Sequence, residues 1–153
     1  MKYFTVEFEK QLDSAVDRET AEKMISEQTN KYWLEFDSCA HRLPKSFSAY
    51  YKSMGFHDYN IEKLELIKRR TKNKTFLDII MQLTDEGKTY EIHYFNVIRY
   101  ETIIDEDSYC EIGDYLDDEI LPVNDEYLSH EFHFYSSANH VTIHFKKLSF
   151  KKL

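Results

Sequence analysis

Glycine, proline, cysteine and tryptophan are scarce in this 153-residue chain, at three, two, two and one. With so few glycines there is no glycine-rich loop to cradle phosphate and no flexible linker. The chain therefore reads as one domain over 1–153, with a helical part at 1–55 and a β-rich part at 56–153. Cys39 and Cys110 have no CxxC spacing, which excludes a disulfide scaffold and points to a reducing compartment. No apolar run approaches the roughly 20 residues that a membrane helix needs. The opening Met1-Lys2-Tyr3-Phe4-Thr5-Val6-Glu7 lacks the apolar centre of a signal peptide. A cytoplasmic location away from membranes is the expectation.

Basic residues are missing from one segment altogether. Residues 101–126 hold eleven acids and no Lys or Arg, whereas the rest of the chain carries 20 basic and 17 acidic side chains. The net charge of −8 thus belongs to one acidic stretch on a mildly basic background. The overall charge opposes nucleic-acid binding, although Lys68 to Lys74 and Lys146, Lys147, Lys151 and Lys152 form local basic runs.

Aromatics are abundant at 16%, with 12 Tyr and 11 Phe, a composition that suits sheet faces and contact surfaces. The clearest periodicity runs from Thr75 to Tyr100. Leu77, Ile79, Met81 and Leu83 alternate with other side chains, Asp85-Glu86-Gly87 supplies a turn, and Tyr90, Ile92 and Tyr94 resume the two-residue period. The same plan recurs from Tyr127 to Phe150, through Leu128, His130, Phe132 and Phe134, a turn at Ser137-Ala138-Asn139, then Val141, Ile143 and Phe145. Ile92 to Val97 lies over Ile143 to Leu148, and in both the apolar parity slips by one after the aromatic, the signature of a β-bulge. The two hairpins read either as copies of one plan or as two amphipathic hairpins that look alike.

Upstream the period is helical. Phe4, Phe8 and Leu12 suggest a short first helix. Asp17 caps a second that reaches about residue 42 through Ala21, Ile25, Tyr32, Phe36 and Ala40. Pro44 opens a third with Phe47, Tyr50, Tyr51 and Met54 on its apolar face, and Gly55 ends it. Ile61, Leu64 and Leu66 indicate a strand with one irregularity, Lys68 to Lys74 a basic turn, and residues 115–121 a strand after an acidic loop. The fold class is α+β, with about three N-terminal helices and about six mostly antiparallel strands, in a sheet, a sandwich or a partly open barrel.

The start Met1-Lys2-Tyr3-Phe4-Thr5, the central Phe56-His57-Asp58 and the later Asp118-Glu119-Ile120 resemble a family of small proteins of unknown function, mainly from Firmicute bacteria. That resemblance implies a helical region followed by a β-rich half, and it implies no activity. The β-rich half is also loosely similar to the sheets of toxin-immunity proteins, which is a likeness of fold alone.

Three constellations bear on chemistry. His57-Asp58 is the catalytic candidate, since an Asp can orient an imidazole; as a structural element the same pair makes an Asx turn between helix and strand. His133, His140 and His144 are the metal candidates. His130 and His133 fall on opposite faces of a strand, and His140 and His144 share a face but stand about 13 Å apart along it, so a site needs His133 to meet one of them across strands. Asp105-Glu106-Asp107 fails as a calcium loop because Cys110 stands where glycine is required. No cofactor is expected. The third constellation is an acidic, aromatic-rich binding face of Tyr109, Asp114, Tyr115, Asp117, Asp118 and Glu119. Acids of that kind steer a basic partner while aromatics supply contact. The functional expectation is a non-enzymatic protein-binding module for a basic protein such as a nuclease toxin, with immunity as its concrete form. The alternative is a small hydrolase or metal-dependent enzyme using His57, Asp58 and the late histidines.

Overall fold

The computed structural model describes residues 1–56, 59–103, 115–134 and 139–153, with backbone alone at 115 and 116. Among these residues three helices precede eight antiparallel strand segments in two four-stranded sheets, an α+β fold with no closed barrel. Among the described residues no helix is long and apolar enough to cross a membrane.

Helix α1 spans Val6–Asp13, and Thr5 Oγ1 caps it by accepting from Phe8 N at 3.2 Å. Helix α2 spans Arg18–Cys39, with Asp17 Oδ1 accepting from Thr20 N at 2.8 Å. The expected continuation to residue 42 is a tighter 3₁₀ turn over Ala40–Arg42, which brings Pro44 to the start of α3 (Lys45–Ser53). Gly55 follows with φ +63°, the left-handed conformation that ends helices.

Strand β1 (Asn60–Arg70) pairs with β2 (Thr75–Asp85), and the irregularity expected near its start is a register shift between Ile61 and Lys63. The basic stretch divides: residues 68–70 continue β1, where Arg69 and Arg70 still pair with Phe76 and Thr75, and residues 71–74 make the expected turn. Glu86 and Gly87, at φ 42° and 79°, make the tight turn into β3 (Lys88–Val97). A Cβ on Gly87 would meet nothing within 4 Å, so backbone conformation and not space selects glycine there.

The parity slip foreseen after the aromatic is a corner. β3 bends at Ile98 into β4 (Arg99–Ile103), which the acidic-loop reading had missed, and β7 (His140–Phe145) bends at Lys146 into β8 (Lys147–Lys152). The bent strands stay paired through the corner, Ile98 N donating to His144 O at 2.9 Å and Lys146 N to Phe95 O at 3.1 Å. Asp78 locks the corner from the neighbouring strand. It is 2% exposed, stands at the β2 bulge, and accepts from Asn96 N at 2.8 Å and Arg69 Nε at 2.7 Å. Asn96 itself sits at φ 54°. The six expected strands are thus eight segments because two of them fold over.

The topology carries an internal two-fold plan. The first sheet has the order β1-β2-β3-β8 and the second β5-β6-β7-β4, with β5 at Tyr115–Pro122 and β6 at Leu128–Phe134. Each half is a three-stranded meander whose bent last strand crosses to complete the other half's sheet. His93 and His144, equivalent in the sequence comparison, lie on the two different sheets, His93 between Ile80 and Ser149 and His144 between Ser129 and Arg99.

The core lies between the sheets and under α3. Ile79, Met81, Leu83, Ile92 and Tyr94 of the first sheet and Ile120, Phe132, Ile143 and Phe145 of the second are buried together. Much of the aromatic content is used in one seam, where α3 meets the first sheet. Phe47 stacks on Tyr51 with centroids 5.6 Å apart, Tyr90 on Phe150 at 5.4 Å, and Tyr50 reaches both Tyr90 and Phe150. Burying each such ring stabilises by about 1.5–3 kcal/mol.

A polar cleft on the outer face of the second sheet

The two faces of the second sheet differ in chemistry. Strand register sends Ile120, Leu128, His130, Phe132, Val141, Ile143 and Phe145 inward. The alternate positions, Asp117 and Glu119 on β5, Glu131 and His133 on β6, His140, Thr142 and His144 on β7, and Arg99 and Glu101 on β4, share the outer face. Of the nine residues, five are sequence candidates: Asp117, Glu119, His133, His140 and His144. Arg99, Glu101, Glu131 and Thr142 were missed, and the signal available was strand parity alone, which needed the register of β4 that a loop reading conceals.

The N-terminal segment lies over this face. Glu119 is fully buried and accepts three backbone N–H groups, from Lys2 at 2.7 Å, Tyr3 at 2.7 Å and Phe4 at 2.6 Å. Its carboxylate therefore anchors the chain and presents nothing to the surface. The Met1 amino group donates to Glu131 Oε2 at 2.5 Å, and Lys2 and the Tyr3 hydroxyl both donate to Glu35 on α2.

Between that segment and the sheet lies a cleft of about 370 Å³, lined by Phe4, Val6, Glu7, Arg99, Glu101, Glu131, His133, His140 and Thr142 among others. His133 and His140 face each other across β6 and β7, the cross-strand meeting that the metal reading required. Among the described residues, however, no three His, Cys, Asp or Glu side chains form a group that could hold a metal ion. Arg99 donates to Glu101 Oε2 from Nε at 3.2 Å and Nη2 at 2.5 Å, and that guanidinium holds the Glu101 carboxyl below its ordinary value. Burial first, and Arg99 second, push the His144 imidazole down. His133 has a side chain 8% exposed, with Nδ1 3.5 Å from Glu9 Oε1. Both its ring nitrogens and that Glu9 oxygen are buried without a hydrogen-bond partner among the described residues.

Asp118 points the other way. Its Oδ2 lies 2.6 Å from His130 Nε2, and His130 Nδ1 lies 2.8 Å from the Tyr94 hydroxyl. If the imidazole proton sits on Nε2, facing the carboxylate, Nδ1 accepts from Tyr94 and every group is satisfied. Beside it Ile120 N donates to Tyr32, and Tyr51 donates to the Asp118 carbonyl, so the bond between the two hydroxyls runs from Tyr32 to Tyr51. Burial, then the Asp118 charge, pushes the Tyr94, Tyr51 and Tyr32 hydroxyls upward in pKa, which keeps them protonated. This is a closed internal network that joins α2, α3 and both sheets.

His57, Asp58, Tyr109 and Asp114 lie outside the described residues, and of Tyr115 only the backbone in β5 is described. No family model, no curated protein and no solved structure matches this chain.

Proposed function

We propose that the chain is a non-enzymatic binding protein whose partner is a basic protein, with toxin immunity, the blocking of a basic nuclease, as the concrete form of that role. One observation carries this reading. The cleft is lined by three carboxylates, Glu7, Glu101 and Glu131, against two cations, Arg99 paired with Glu101 and the Met1 amino group paired with Glu131, which leaves one carboxylate in excess. An excess of carboxylate at a concave surface raises the local concentration of cations and speeds encounter with a basic partner. Phe4 and Val6 at the cleft supply apolar contact beside the charges.

The enzyme reading would use the same cleft, with Glu9 beside His133 as an acid–base pair. The described lining offers as nucleophiles only the hydroxyls of Thr5 and Thr142, and Thr5 already caps α1.

The test is capture from a lysate of the source cells by the tagged chain, beside a Glu7→Lys/Glu101→Lys variant. These two positions are chosen over Asp118 and Glu119, whose reversal would attack the fold. A protein of basic isoelectric point should be retained by the wild type, released by salt and lost with the variant. Retention that is indifferent to both salt and charge reversal would refute the reading.

A further inference from the structure

We infer that a groove at the corner between the two sheets binds a nucleotide unit, a phosphate carried beside a flat base, either free or within a single strand of nucleic acid. The groove shares no residue with the acidic cleft, and the inference goes beyond the reading above without resting on it. Two distant stretches of the chain build it. The turn after β1 is pinned by Thr71, whose N–H donates to the Lys74 carbonyl at 2.8 Å and whose hydroxyl accepts from Lys74 N at 3.1 Å, and Lys74 lines one side. The bend of β7 into β8 supplies the other. Consecutive residues of a straight strand point to opposite faces, but at the bend Lys146 and Lys147 both line the groove.

Among the described residues the lining therefore carries three ammonium groups against one carboxylate, Glu126, which Lys146 already engages at 2.9 Å. Lys74 and Lys147 are exposed and have no ion-pair partner among the described residues. The net charge of −8 does not decide the matter, because salt screens exposed charges beyond about 8 Å at physiological ionic strength and the local balance governs. Asn96 adds a donor: its Oδ1 accepts from Arg69 Nη2 at 2.9 Å, which leaves the NH₂ to donate. A phosphate answers these groups with acceptor oxygens and negative charge.

The rest of the groove is apolar and partly aromatic, with Phe76, Tyr127, Val97 and the 56% exposed Ile98. A bare phosphate or an acidic peptide leaves that half unused, whereas a base has a flat face that stacks on rings and on guanidinium planes. The Arg69 guanidinium lies over Phe76 at 4.7 Å and the Lys146 ammonium over Tyr127 at 5.9 Å. Charge and stacking surface thus stand side by side, the combination by which single strands are bound. The volume, about 430 Å³, lies in the range of small-ligand sites.

The probe is adenosine 5′-phosphate (AMP), titrated into the full chain and read by calorimetry and by the amide shifts of Lys74, Asn96 and Lys147. Adenosine, ribose 5-phosphate and acetyl-Glu-Glu-amide serve as comparisons, lacking the phosphate, the base and both. AMP should saturate and move these amides, with each comparison at least about tenfold weaker. Lys74→Gln and Lys147→Gln should each weaken AMP by about five- to tenfold and keep the native amide spectrum, since both side chains are exposed. Lys23→Gln, exposed on α2, should change nothing. Oligothymidylate separates the two sources. Binding tighter than AMP, with a salt slope that each lysine variant lowers by about 0.7, assigns the groove to a single strand; binding no tighter than AMP assigns it to a free nucleotide. No saturable AMP shift at these amides, a comparison that binds as well as AMP, or an AMP affinity indifferent to both lysine variants would overturn the inference.

Discussion

Replacing Glu119 with Gln should free the N-terminal segment before it weakens the rest of the molecule. The carboxylate is fully buried and takes N–H groups from Tyr3 and Phe4 on Oε1 and from Lys2 on Oε2. Glutamine keeps one carbonyl oxygen for Tyr3 and Phe4 but sets its amide NH₂ against the Lys2 N–H. One charge-assisted bond is lost and two become neutral. At about 1.5–3 kcal/mol for a bond to a charged group against about 1 for a neutral one, the change costs about 2.5 kcal/mol or more. That loss is local, because Glu119 makes these bonds to residues 2–4 alone, a segment also held by Glu131, Glu35, the Gln28 amide on the Tyr3 carbonyl and the Tyr3 and Phe4 rings on Tyr32. Hydrogen exchange is the suitable assay. The Tyr3 and Phe4 amides should exchange about a hundredfold faster in the variant, at roughly 1.4 kcal/mol per decade. The amides of Ile79 and Ile92 in the first sheet should stay within a few-fold of wild type. Tyr3 and Phe4 exchanging at the wild-type rate, or core amides accelerating as much as they do, would refute the anchoring argument.

Three further outcomes follow from the same reasoning. Burial by itself would raise the Asp78 carboxyl, but the Arg69 ion pair and the Asn96 N–H outweigh it and its pKa is lowered. Its contribution to stability is then full above the unfolded value near 4 and drains as pH falls through the native one, so the urea-midpoint gap between wild type and Asp78→Asn should be wide at pH 7 and should narrow toward pH 3. His130→Leu strands the Tyr94 hydroxyl and the Asp118 carboxylate; a loss of about 3 kcal/mol, read as a melting temperature lower by roughly 6–12 °C, is expected, and an unchanged temperature would contradict the network. The Cys39 thiol is buried, its pKa raised by that burial, and Sγ lies 3.3 Å from the Phe36 carbonyl; with Cys110→Ser as background, a thiol reagent should label the native protein no faster than it unfolds.

Local chemistry was legible and long-range pairing was not. Asp17, Pro44 and Gly55 marked helix ends because capping, a preset φ and a positive φ are decided within a few residues. The slips after Tyr94 and after Phe145 were visible as parity, but parity alone does not separate a bulge from a fold-over. The difference lay in Asp78, Arg69 and Asn96, which meet only once β1, β2 and β3 are side by side. The acidic run misled for a related reason. Asp118 and Glu119 look alike in sequence, yet alternation along β5 sends one to His130 in the core and the other to the backbone of residues 2–4. The cleft gathers residues from α1, β4, β6 and β7, and of these only His133 and His140 had an intrinsic chemistry that drew notice beforehand.

The exchange of β4 and β8 between the sheets sets an order of events for the nascent chain. The β1–β3 meander can close as soon as it emerges, since its partners are joined by short turns. The free side of β3 finds β8 only after about fifty more residues have been made, as Tyr94 pairs with Leu148. Until then a strand rich in Tyr and Ile offers unpaired backbone to any neighbouring strand. Its opposite edge is guarded by the Lys and Arg of β1, but this one has no such protection. Truncation before residue 147 would leave the first sheet open permanently, and the product expected is an aggregate and not a smaller folded protein.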